Sequence, residues 1–137
     1  MNLSGQDNGS TRMITMRILA VLVVLIIGSG CQSEKTTTVS DDLMGVWVTS
    51  AEKYKDRFMK FKKDVVIFGT GEGDQSIQPI RKVNAVRQDQ KVLYTVTYLD
   101  EDGAEYTFSF FYDAAGGVIT LKNQEGIEWK KNSGTSD

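Results

Sequence analysis

The sequence contains no histidine, one cysteine and one proline. The absence of histidine excludes catalytic pairs in which an imidazole activates a serine or a cysteine, and it removes the most common nitrogen ligand of zinc. The sequence also lacks the Gly-x-Ser-x-Gly motif that presents the nucleophile in many hydrolases. We therefore expect a protein that is not an enzyme and that holds neither a metal ion nor a cofactor.

A strong excess of either charge is also missing. The chain has 16 basic and 18 acidic residues, and the part after residue 30 has 14 and 17. Because a nucleic-acid-binding domain needs a basic face, we expect no nucleic-acid partner. One basic cluster occurs between Lys53 and Lys63 and is interrupted by Asp56. We interpret it as a solvated strand edge and hairpin, with contact to anionic lipid or peptidoglycan as the alternative.

Long apolar runs are absent except at residues 18–27, which contain no polar residue. As a helix, this run would rise about 15 Å, against a membrane hydrocarbon core of about 30 Å. Arg12 and Arg17 precede the run, and three small residues, 28–30, follow it. This order is typical of an export signal that is cleaved. The start of translation could be any of three methionines, Met1, Met13 or Met16.

The only cysteine, Cys31, comes directly after the small residues. This ending resembles the lipobox of bacterial lipoproteins, in which the cysteine becomes the first mature residue and carries lipid, including palmitate. The resemblance implies a signal peptide over residues 1–30 and a lipid anchor on Cys31 in the bacterial cell envelope. Because Gln32 is not aspartate, it implies the outer membrane, facing the periplasm, if the source is Gram-negative. A plain secretory signal and an uncleaved membrane anchor are the alternatives.

The remaining chain divides by composition into three parts. Residues 31–42 are mostly polar, so we expect the lipidated cysteine to be followed by a flexible tether. Residues 43–131 contain the patterned apolar residues and are predicted to form one folded domain. Residues 132–137 are predicted to be a disordered tail.

The domain has an alternation of apolar and polar residues with period two. This alternation predicts antiparallel strands with one aromatic face turned inward. Because closing a meander into a ring removes both exposed edges, we expect an all-β fold, a small eight-stranded antiparallel up-and-down barrel. The eight strands are predicted near residues 45–50, 57–62, 65–70, 77–87, 91–99, 104–112, 117–122 and 126–131.

Three local motifs are predicted to be structural. The acidic residues 100–102 could bind calcium weakly, but the Asp-Gly step that follows favours a hairpin turn. The glycine-rich residues 69–73 lack the lysine and the helix of a phosphate-binding loop, so we interpret them as a strand end and a turn. Pro79 predicts a bend or bulge in its strand.

The first predicted strand carries Gly45, Val46 and Trp47. This pattern looks like the Gly-x-Trp motif that opens the barrel of lipocalins and of smaller bacterial lipocalin-like lipoproteins. In that family, the tryptophan closes one end of the barrel under a basic side chain from near the last strand. The resemblance implies Gly45, Trp47 and Lys130 as barrel-closing residues, with Lys131 as the alternative to Lys130.

An eight-stranded barrel can hold one small ligand or be filled by its own side chains. The resemblance implies a small apolar ligand, with the entrance at the rim opposite Trp47. The candidate ligand-binding residues are Tyr94, Tyr98, Tyr106 and Phe108. The number of aromatic rings supports the alternative, an envelope structural or interaction module with a filled core and an envelope protein as its partner.

Overall fold

A computed structural model describes residues 32–134, which form nine β-strands and two short 3-10 turns. The strands are β1 (Ser33–Thr36), β2 (Gly45–Val48), β3 (Phe58–Phe61), β4 (Val65–Gly71), β5 (Asp74–Gln88), β6 (Lys91–Leu99), β7 (Glu105–Asp113), β8 (Val118–Leu121) and β9 (Glu128–Lys131). The 3-10 turns are Asp41–Leu43 and Glu52–Tyr54. Within these residues, no helix has the length and apolar character needed to cross a membrane.

Strands β2 to β9 close into a ring of eight antiparallel strands. Each strand pairs with the next one along the chain, and β9 pairs back onto β2, where Lys131 lies opposite Trp47. The predicted all-β, eight-stranded up-and-down barrel is therefore confirmed. Both the ring and its hydrophobic core are formed by residues 39–131.

The longest strand, β5, turns a corner of the barrel. Its first half pairs with β4, up to Val65 opposite Pro79. Its pairing with β6 shifts register between Ile80 and Lys82, directly after the proline. Since a proline cannot donate a ladder hydrogen bond and a bulge bends a strand, the predicted bend at Pro79 is confirmed.

Within the expected flexible tether, residues 32–42 are ordered and include a strand, β1. β1 pairs with the second half of β5, where Thr36 lies opposite Val83, along the edge that β4 does not reach. The backbone nitrogen of Val39 donates to the carbonyl oxygen of Lys63 at 3.0 Å, and the Val39 side chain is buried. Polar composition did not predict this order because pairing at a sheet edge uses backbone groups and needs no apolar side chain. The boundary at residue 30 and the last three residues lie outside the described part of the chain.

Two polar motifs form the turns that their sequences predict. Between β4 and β5, Glu72 and Gly73 both have positive φ, 55° and 87°, as a two-residue type I′ hairpin requires. Between β6 and β7, Asp100 Oδ1 accepts hydrogen bonds from the backbone nitrogens of Asp102 and Ala104, at 3.0 and 2.7 Å. The carboxylate of Asp100 is thus engaged by its own turn.

Aromatic rings pack against one another through the barrel. Successive ring centroids lie 5.4–6.5 Å apart along a continuous column, in the order Trp47, Tyr112, Tyr94, Phe110, Phe108, Tyr98 and Tyr106. Such offset and edge-to-face pairs add to the free energy gained by burying the rings. The column runs from one end of the barrel to the other, so a ligand would have to enter at one of the two ends.

The two ends of the ring differ. Because consecutive strands alternate in direction, the turns after β2, β4, β6 and β8 lie together at one end, here called the open end. The turns after β3, β5 and β7, together with the start of β2 and the end of β9, lie at the other end, here called the closed end.

Candidate functional site

Trp47 is buried opposite Lys131, the last residue of β9. Its side chain is 1% exposed, and its Nε1 donates a hydrogen bond to the carbonyl oxygen of Leu43 at 2.8 Å. Tyr112 meets it edge to face, with ring centroids 6.0 Å apart. The indole ring is therefore packed against other groups, and its only polar atom has a hydrogen-bond partner. Both features are expected of a structural side chain.

The basic side chain over Trp47 belongs to Lys131, which corrects the assignment of Lys130. Lys131 Nζ lies 5.4 Å from the centroid of the Trp47 ring and donates to the carbonyl oxygen of Asp42 at 2.8 Å. Lys130 lies opposite Val48 and extends outward, 3.7 Å from a carboxylate oxygen of Glu128. Side chains alternate between faces along a strand, so only the lysine paired directly with Trp47 can share its face.

Gly45 lies against this lysine, and its backbone conformation, not a lack of space, favours glycine. Its φ is +122°, a conformation that other residues rarely adopt. A Cβ at this position would lie 3.6 Å from the Cδ and Cε atoms of Lys131. The glycine, the tryptophan and the second lysine of "WKK" therefore form one arrangement at the closed end.

Of the four candidate ligand-binding residues, Tyr94 lies apart from the other three. Tyr94 packs in the closed half, 9% exposed, with its hydroxyl 3.2 Å from Ser40 Oγ. Tyr106 is 50% exposed and stacks on Tyr98 at the open end. Tyr98 and Phe108 do lie together, with ring centroids 5.9 Å apart, and both line the cleft described next.

A cleft of about 310 Å³ opens at the open end of the barrel. Phe68, Tyr98 and Phe108 contribute one part of its wall, from β4, β6 and β7. Met59, Leu121 and Trp129 contribute the other part, from β3, β8 and β9. The full lining is Tyr54, Arg57, Phe58, Met59, Phe68, Gly69, Thr70, Tyr98, Phe108, Leu121, Asn123, Gln124 and Trp129. A mostly apolar concave wall with a few polar groups is the usual form of a small-molecule site.

Sequence reasoning did not find Met59, Leu121, Gln124 and Trp129. Period two places Met59, Leu121 and Trp129 on the inward face, and this signal was present in the sequence. The period-two pattern does not show which inward residues face each other across the barrel. Gln124 lies in the β8–β9 turn, where its backbone nitrogen donates to the carbonyl oxygen of Leu121 at 3.0 Å.

Two polar atoms at the cleft are buried without a hydrogen-bond partner: Trp129 Nε1 and Gln124 Oε1. Trp129 is 3% exposed. Arg57 is exposed, and its guanidinium carbon lies 5.7 Å from the centroid of the Tyr54 ring. The cleft thus combines mostly apolar walls with a cation at its edge, and the two unpaired atoms are buried beneath its lining.

Tyr98 stays uncharged at neutral pH. Burial raises the pKa of its phenol, and the nearby Tyr106 and Asp100 raise this pKa further. A phenol in this state can both donate and accept a hydrogen bond. Among the described residues, no group of three acidic, cysteine or histidine side chains is arranged to hold a metal ion.

No protein-family model, curated protein or solved structure shows significant similarity to this chain.

Proposed function

We propose that this protein is a lipid-anchored lipoprotein of the bacterial envelope whose lipocalin-like barrel binds a small apolar ligand. The observation that carries the proposal is the cleft at the open end, because its walls are mostly apolar and its polar groups are few. Its volume, about 310 Å³, is at the lower end of the range for small-molecule sites, roughly 300–1,000 Å³. A small ligand fits this site better than a long lipid.

Binding is proposed instead of catalysis. The described residues that line the cleft have aromatic, aliphatic, amide or hydroxyl side chains, apart from one methionine, one glycine and one arginine. None of these lining residues is a histidine, a cysteine or a carboxylate that could activate a nucleophile.

The proposed anchor rests on the sequence around Cys31, which lies outside the described residues. Because β1 begins at Ser33, only Gln32 would separate the lipidated cysteine from the first strand. Two or more acyl chains hold a protein stably on a membrane, whereas one chain holds it marginally. The proposed location is the envelope membrane, which is the outer membrane facing the periplasm in a Gram-negative source.

The two tryptophans provide the test of ligand binding. In a ¹⁵N-labelled barrel, the indole N–H of Trp47 reports the closed end and that of Trp129 reports the cleft. We expect small apolar probes to shift the Trp129 signal saturably below about 100 μM, which corresponds to roughly −5.5 kcal/mol, and to leave the Trp47 signal in place. Equal shifts at both signals, or no saturable shift, would contradict binding in the cleft.

A matched pair of variants sharpens the test. Leu121→Trp would fill the cleft from its wall and should abolish the shift, whereas Leu93→Trp adds the same ring on the outer face of β6 and should not. Loss of binding in both variants would mean either that the variants are unfolded or that the ligand binds at another site. A thermal melt of each variant distinguishes these two explanations.

A second candidate is the envelope interaction module with a filled core. It is favoured by the aromatic column and by a groove of about 400 Å³ on the outer face of β2 to β5. Val46, Ile67 and Ile77 line this groove, and Ile77 is 54% exposed. Two results together would favour this candidate over the carrier. No apolar probe would bind the barrel, and cells carrying Ile77→Lys would lose the function of the protein.

A further inference from the structure

The described chain enters the barrel beside the closed end. Ser33, the first residue of β1, lies opposite Val86, two residues before β5 ends at Gln88. The turn that follows β5 belongs to the closed end, so β1 begins next to this end and runs away from it. Gln32 alone separates Ser33 from Cys31, and two residues of extended chain reach at most about 7 Å. A lipid on Cys31 would therefore hold the closed end at the membrane surface.

The two ends of the barrel also differ in charge. Each end is defined by its turns with two strand residues on either side, and the closed end also includes residues 37–44 and 132–134. The closed end then has seven basic and five acidic residues, a net charge of +2. The open end has four basic and ten acidic residues, a net charge of −6, and three of these acids form the run 100–102. A negatively charged phospholipid surface attracts the closed end and repels the open end.

We propose that the closed end docks on an anionic membrane surface, so that the open end and its cleft point away from the membrane. The inference rests on the proposed lipid anchor, whereas the charge difference between the ends is independent of that anchor. In this orientation, a ligand reaches the cleft from the aqueous side and not from the bilayer beneath the barrel.

The alternative orientation is a barrel that lies on its side, with the groove on the outer face of β2 to β5 against the membrane. Ile77 is exposed in this groove, and Lys60 and Lys62 line it. However, the β4–β5 turn of the open end, with Glu72 and the adjacent Asp74, would then approach the same anionic surface. The two orientations place different turns at the membrane, so they can be distinguished.

Three glycine amides in different turns report the orientation. Gly116 lies in the β7–β8 turn of the closed end, on the side of the ring away from β1. Gly73 and Gly103 lie at the open end, in the β4–β5 and β6–β7 turns. The nine residues of β6, which joins the two ends, span about 30 Å. A paramagnetic group at the membrane surface therefore broadens the amides of the two ends very differently.

The experiment supplies the anchor chemically. Residues 31–137, which contain the whole ring and its hydrophobic core, are coupled through Cys31, the only cysteine, to a maleimide lipid. The lipid is held in nanodiscs of phosphatidylglycerol and phosphatidylcholine that contain a spin-labelled head group. We expect at least about tenfold stronger broadening at Gly116 than at Gly73 and Gly103, given the length of the strands between the ends.

Two results would overturn the proposal. Broadening at Gly73 as strong as at Gly116 would show that the barrel lies on its side. Equally weak broadening at all three glycines would show that the tethered barrel does not dock. Neither result bears on natural lipidation, because the coupling supplies the anchor and palmitate labelling in cells tests that proposal separately.

A matched pair of charge reversals tests the electrostatic contribution. Lys62→Glu combined with Lys63→Glu, two exposed residues of the closed end, should lower the broadening at Gly116 at least about fivefold, because each lysine is attracted to the anionic surface. Lys55→Glu combined with Lys122→Glu makes the same change in net charge at exposed residues of the open end and should leave Gly116 broadened. No loss in the closed-end variant, or an equal loss in both variants with unchanged thermal melts, would overturn the proposal.

Discussion

Replacing each of the two adjacent lysines by methionine tests which one stabilises the closed end. Lys131→Met keeps the aliphatic stem that lies over Gly45 and removes the ammonium group. The ammonium group makes a hydrogen bond of 2.8 Å to the Asp42 carbonyl oxygen and a cation–π contact of 5.4 Å to Trp47. Lys130→Met is the matched control, because Lys130 has the same chemistry one position away on the outer face.

The magnitude follows from these contacts. A net hydrogen bond contributes about 1 kcal/mol, and a cation–π contact at an exposed site contributes about 0.5–1 kcal/mol. Lys131→Met should therefore destabilise the barrel by about 1.5–2 kcal/mol. Lys130 pairs only with Glu128 at 3.7 Å, with both side chains more than half exposed, so its loss should cost less than about 0.5 kcal/mol.

Urea unfolding followed by tryptophan fluorescence measures the difference. With a slope of about 1.5 kcal/mol per M, Lys131→Met should lower the urea midpoint by about 1 M and Lys130→Met by less than about 0.3 M. An equal or larger loss in Lys130→Met would refute the placement of Lys131 over the tryptophan.

The remaining predictions concern the core, the sheet, the pH dependence and the anchor. Trp47→Ala should destabilise by about 3–5 kcal/mol in the same urea assay, the range for truncating a buried large aromatic residue, and a loss below about 0.5 kcal/mol would contradict its burial. Gly69→Ala should cost about 1–3 kcal/mol, because a methyl group there would clash with the Phe58 ring; unchanged thermal stability would contradict the packing. Because burial raises the pKa of Tyr98 in the folded state, its contribution to stability is present below about pH 10 and is lost as pH rises through the raised pKa, so Tyr98→Phe should flatten the alkaline loss measured by denaturation. Cys31→Ser should abolish palmitate labelling in cells, and labelling retained in the variant would exclude lipidation at this residue.

Much of the barrel could be predicted because its signals are local. The alternation in residues 105–112 places Phe108 and Phe110 inward, and the structure has both rings in the aromatic column. The Asp-Gly step at residues 102–103 predicts the hairpin that the structure contains, with Gly103 at φ 79°. These features depend on residues only a few positions apart.

The candidate site was predictable only in part. Tyr98 and Phe108 line the cleft, but Tyr94, on the same face of β6, packs in the closed half with Ser40. The inward face of a strand runs through the whole depth of the barrel, so a period-two pattern cannot tell which inward residues lie at the mouth.

By itself, the sequence determined that this chain forms antiparallel strands, where they turn and which side chains face inward, because period two and turn dihedral angles are properties of neighbouring residues. Only the tertiary structure decided that Lys131 covers Trp47, that β1 joins β5, and that Trp129 and Gln124 meet the cleft. Each of these depends on the register between strands and on how strands far apart in the chain face one another when the ring closes. No local pattern encodes that register, because it is set by all the pairings of the closed sheet together.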